Sequence, residues 1–118
     1  MPARSKVGFS VPVGTQSYFA NESHGNAHYL LFGDLNNMGI MEARLRAAGF
    51  PVCRSQSGTY PGFCREDFEQ FKAALRYLYE YQVPGWWGQR EKMVEYGICT
   101  NDEFQTTLTR YCETHKND

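Results

Sequence analysis

Apolar and polar residues alternate along positions 6–13, with Val7, Phe9, Val11 and Val13 on one side. A period of two predicts a strand with one face on a core. Pro12 lies on the opposite face and confines this strand to a sheet edge or to its own end. Residues 15–26 are polar and small and read as a loop, interrupted by Tyr18 and Phe19, which can pair as a hairpin arm. Positions 27–32 predict a second, more buried strand. The turn that follows, Gly33-Asp34-Leu35-Asn36-Asn37, is rich in helix-capping residues. The pattern then changes to a period near 3.6 and predicts a helix over 37–48. Met38, Met41 and Leu45 are its apolar stripe, while Glu42, Arg44 and Arg46 face solvent. Gly49 suits the left-handed position just past the end, and Pro51 stops any continuation.

Positions 51–54 predict a short third strand. Strand, helix and strand in this order suggest a βαβ unit, right-handed if the two strands are parallel. Residues 55–62, Ser-Gln-Ser-Gly-Thr-Tyr-Pro-Gly, are turn formers and predict a mobile loop. Beyond them the chain reads as helical. Phe68, Phe71, Leu75 and Leu78 mark one helix, which opens with Glu66 and Asp67 and ends near Gln82, ahead of Pro84. Positions 86–96 predict a shorter helix ended by Gly97. Thr100 and Glu103 form a capping box for the last helix, with Cys99 stapled on Phe104. Its stripe is Phe104, Leu108 and Tyr111, and the tail from His115 frays. The expected fold is one α+β domain over residues 1–118. A sheet of three or four strands from the N-terminal half is covered by three to four helices.

Composition narrows the functions available. The chain has 118 residues, 42% of them hydrophobic, with 12 basic and 13 acidic side chains. That is enough for one real core and argues against disorder, a broadly basic nucleic-acid binder or an acidic tail. No apolar run approaches the roughly 18 residues of a membrane span, and no apolar region follows the N-terminal charges. A cytoplasmic location is expected. There Cys53, Cys64, Cys99 and Cys112 would be free thiols packed as small hydrophobes. Export would instead allow two disulfides in any of three pairings. A zinc set of Cys53, Cys64, Cys112 and His115 is conceivable, because Cys112 and His115 share a helix face. No metal or cofactor is expected.

Two regions carry candidate chemistry. Asp34 follows an apolar strand at the start of a helix, a common place for functional groups in α/β proteins. Over this short stretch the segment resembles the first metal-binding strand of nucleotide cyclase and related palm domains. The resemblance implies two metal ions shared with a further carboxylate. The sequence has no Gly-Gly-Asp hairpin to supply it, and membership is not inferred. His24 and His28 flank a Gly-Asn turn, and Cys53 with His28 has the residue types of a nucleophile and base. An enzyme site would therefore centre on Asp34 and His28, beside Arg54 and the 55–62 loop. Arg44, Arg46 and Arg54 together could bind phosphate or nucleic acid.

The second region is aromatic. Trp86 and Trp87 point about 100° apart on a helix, so one is buried and the other is partly exposed. With Arg90, Tyr77 and Tyr81 they form the expected contact surface. The leading expectation is a small interaction module, an adaptor, regulator or inhibitor that binds a protein partner or a second copy of itself. A metal-dependent or small-molecule enzyme and a nucleic-acid binder are the alternatives.

Overall fold

A computed structural model describes residues 27–115. The strand predicted over 6–13 and the loop that carries His24 lie outside the described residues. Within them the order is β1 (Ala27–Leu30), α1 (Leu35–Ala47), β2 (Cys53–Arg54), β3 (Pro61–Cys64), α2 (Phe68–Glu80), α3 (Arg90–Glu95) and α4 (Asn101–Thr114). Short 3-10 turns, Arg65–Asp67 and Trp86–Gln89, lead into α2 and α3. The architecture is α+β, as the sequence pattern predicts.

The sheet order is β1-β3-β2, and both pairings are antiparallel. β1 and β2 therefore run parallel to each other, but β3 is inserted between them. The predicted βαβ unit is a split one. β3 was hidden in the segment read as a mobile loop, because Pro61 and Gly62 are turn formers. Pro61 is tolerated as the first residue of its strand, where the missing N–H matters least. Its carbonyl accepts from the Leu31 amide at 3.0 Å. The rest of that segment is held by its own bonds. The Ser55 amide donates to the Tyr60 carbonyl at 2.8 Å, and the Tyr60 amide donates to Ser55 Oγ at 3.1 Å.

The helix ends follow local chemistry. Asp34 Oδ1 accepts from the Asn37 amide at 2.8 Å and caps α1 two residues earlier than the predicted start. Gly49 has φ of 96°, and the Phe50 amide returns to the Leu45 carbonyl at 3.0 Å. At the end of α2 the left-handed position is held by Gln82, with φ of 48°, and the Val83 amide donates to the Leu78 carbonyl at 3.1 Å. The capping box of Thr100 and Glu103 closes α4 from both directions, at 2.8 and 3.0 Å.

The core runs between the sheet, α1 and α2, then continues under the C-terminal elements. Leu31, Met41, Leu45, Val52, Phe63, Phe71, Leu75, Leu78, Trp86, Met93 and Phe104 are buried in it. α4 is docked along one edge only. Phe104 and, just ahead of the helix, Cys99 are buried, Leu108 and Tyr111 are half-buried, and Cys112 is exposed. Tyr79 of α2 ties α4 down through its hydroxyl, 2.9 Å from Thr107 Oγ1. No helix among the described residues is long and apolar enough to cross a membrane.

Candidate functional site

The expected aromatic set does not form one surface. Trp86 is fully buried. Tyr79, Trp87, Phe104 and Tyr111 surround its ring at centroid distances of 4.9–6.2 Å. It cannot be a contact residue, because its apolar surface is already spent inside the fold. Arg90 is committed internally as well. Its guanidinium lies 4.9 Å from the Phe104 ring centroid and donates to Asn101 Oδ1 at 3.1 Å and Gln105 Oε1 at 3.2 Å. Tyr77 and Tyr81 pack together at 4.7 Å, and Tyr77 packs on Phe50, which follows the C-terminus of α1. Trp87 leans on Tyr111 at 5.4 Å. Its neighbour Gly88 sits against the Phe32 carbonyl, ahead of the N-terminus of α1. Thirteen residues of helix, about 20 Å, separate the two ends.

A different cluster emerges at that N-terminal end. Phe32 and Leu35 are exposed apolar residues around the start of α1, Phe32 packs on Tyr60 at 5.7 Å, and the Phe32 backbone meets Gly88 and Gln89 in the turn that carries Trp87. Gln89 holds the corner rigid. Its Oε1 accepts from the Phe32 amide at 3.0 Å, and its Nε2 donates to the Phe32 carbonyl at 2.6 Å and the Gly85 carbonyl at 3.2 Å. One side-chain amide thus supplies both bonds that a neighbouring strand would make. Gln89 is buried, so these bonds satisfy groups that water cannot reach. Sequence reasoning passed over it. The available signal is a polar residue on the stripe Trp86, Gln89, Met93, at helical spacing.

The residues of the enzyme reading are not brought together. Asp34 is the cap of α1, with Asn37 as its partner through both backbone and side chain. His28 is exposed on β1. Cys53 is buried on β2, and with β3 between the two strands it stands about 9–10 Å from β1. Cys112 and His115 lie on or just past α4, while Cys53 and Cys64 face each other across β2 and β3. No group of three metal-ligating side chains occurs among the described residues.

The arginine patch is neutralised from within. Glu42, placed on the solvent face by the sequence pattern, is instead buried beneath Arg46 and Arg54. Arg54 donates to it from Nε at 2.9 Å and Nη2 at 3.0 Å, and Arg46 Nη1 lies 2.7 Å from Oε2. Arg54 Nη1 also donates to the Gly58 carbonyl at 2.8 Å, which joins α1 to the β2–β3 loop. Arg44 is the exposed member. An exposed ion pair contributes up to about 1 kcal/mol, whereas breaking a buried one costs about 3–5 kcal/mol. For this half-buried cluster Glu42→Ala should cost about 2 kcal/mol, measured as a lower urea midpoint. A loss under about 0.5 kcal/mol would place it with ordinary surface pairs.

No family model, characterised protein or solved structure matches this chain.

Proposed function

We propose that the protein is a small interaction module that docks a larger protein through the corner of Phe32, Leu35 and Trp87. The observation that carries this reading is Leu35, 77% exposed at the first position of α1. Stability alone favours an acidic residue or proline there, and the first turn of α1 has no acidic residue. A leucine in that place adds nothing to the helix and leaves an apolar side chain in water. Phe32, 46% exposed, lies three residues before it on a backbone fixed by Gln89 and by the Asp34 cap, and Gln89 joins that backbone to the turn that carries Trp87, itself 37% exposed. Tryptophan is among the residues most enriched in binding hot spots, and an aliphatic side chain can serve as the anchor that fills a partner's pocket.

Leu35→Glu should leave the fold intact and add about 0.3–1 kcal/mol of stability through the helix dipole. It should at the same time abolish docking. A photo-reactive benzoylphenylalanine at position 35 should crosslink to one discrete protein in cells. That crosslink should disappear with Trp87→Ser and be absent with the probe at the exposed Gln105. A crosslink joining two copies of the chain would assign the corner to self-association. Crosslinking unaffected by Trp87→Ser, or confined to the chain's own residues, would end this reading.

A further inference from the structure

Cys53 and Cys64 are free thiols whose Sγ atoms lie 3.2 Å apart across the β2–β3 ladder. Cys53 pairs with Gly62, so Cys64 is its diagonal neighbour, two residues along on the same face of the sheet. Diagonal neighbours in a flat ladder are usually too far apart for sulfur contact, and here the side chains lean together. We propose that Cys53 and Cys64 are a reversible oxidation site, converted by a low-molecular-weight disulfide into a cross-strand bond that staples β2 to β3. A disulfide needs sulfurs about 2.05 Å apart. The two thiols are therefore about one ångström of side-chain rotation from bonding distance, on strands already held in register.

The order of events follows from exposure. Cys53 is 1% exposed, while Cys64 is half-buried and reachable. Burial pushes the Cys53 thiol up, Cys64 and Asp67 push it the same way, and Arg46 opposes them. Cys53 is thus protonated at rest and is the poorer first nucleophile. The Cys64 thiolate attacks one sulfur of the small disulfide, breaks its S–S bond and releases one thiolate. Cys53 then gives up its proton and attacks the Cys64 sulfur of the mixed disulfide, releasing the second thiolate. The two protein thiols are oxidised by two electrons, and the small disulfide is reduced to two thiols. Cys99 and Cys112 take no part, since Cys99 is buried ahead of α4 and Cys112 is exposed along it.

The test is incubation of the folded chain with oxidised glutathione, followed by alkylation of remaining thiols and tryptic mapping. The mass should fall by two hydrogens. Cleavage after Arg46, Arg54 and Arg65 should give peptides 47–54 and 55–65 joined by the new bond, with Cys99 and Cys112 alkylated. Dithiothreitol should restore four free thiols, and the oxidised form should melt at a higher temperature. In Cys64→Ser, Cys53 should remain alkylatable after unfolding, with no glutathione attached. Full alkylation of Cys53 and Cys64 after oxidation, glutathione retained on Cys64, or linkage to Cys99 or Cys112 would overturn the assignment.

Discussion

Trp86→Ala should remove a large share of the protein's stability. Removing a large buried aromatic costs about 3–5 kcal/mol. A domain of this size holds only roughly 5–15 kcal/mol in total. Trp86, on its own 3-10 turn, is where two helices meet: Tyr79 comes from α2, and Phe104 and Tyr111 from α4. Its removal empties a space that no neighbour can fill without leaving its own packing. Trp87→Ala, one residue along, should cost less than about 1 kcal/mol, because that ring is already partly in water. Urea unfolding followed by far-UV circular dichroism measures both. Equal midpoints for the two variants would refute the division of labour between the adjacent indoles. Trp86→Phe provides a finer test. The Trp86 Nε1 proton is buried with no hydrogen-bond partner among the described residues, so losing it offsets part of the lost volume. Trp86→Phe should therefore be clearly milder than truncation.

The second large effect is at Gly62, in the central strand. A Cβ there would collide with the Tyr29 carbonyl and press on Leu30 Cδ2 at 3.1 Å and Ala27 Cβ at 3.2 Å. The obstacle is backbone of β1, which cannot swing aside as a flexible side chain can. Gly62→Ala should force β1 and β3 apart at a cost of about 3 kcal/mol, at the upper end of overpacking effects. Gly39→Ala makes the same chemical change inside α1, where a Cβ meets no atom of the described residues within 4 Å. There the helix gains about 0.5–1 kcal/mol, because alanine has less backbone freedom to lose. The two variants should move the thermal midpoint in opposite directions. A shift of the same sign in both would mean that the β1–β3 approach at Gly62 is looser than described.

These contrasts show where the sequence was legible. α1, α2 and α4 could be read because their signals are local: Asp34, Gly49 and the Thr100–Glu103 box act within a few residues of themselves. β3 could not, because Pro61 and Gly62 serve as strand residues only through partners on both sides. Glu42 was misplaced for a related reason. Helical periodicity assigns it to solvent, but Arg54, on a strand twelve residues away, covers it. The aromatic helix surface failed similarly. Spacing could divide the tryptophans into one buried and one exposed, but could not show that Arg90 is taken by Phe104 and α4. Leu35 and Phe32, in the turn around Asp34, gained their place in the candidate site only once their exposure and the Gln89 contact were visible.

The Gln89 bonds reach the peptide of Phe32 and never its side chain. That separation uncouples two kinds of sequence change. Position 32 can exchange phenylalanine for another residue, charged or small, while the amide-to-peptide joint stays intact. Position 89 has no such latitude, since even glutamate would lose the donor that both carbonyls require. Descendants of this chain could therefore vary the side chain that the corner exposes while inheriting its shape unchanged.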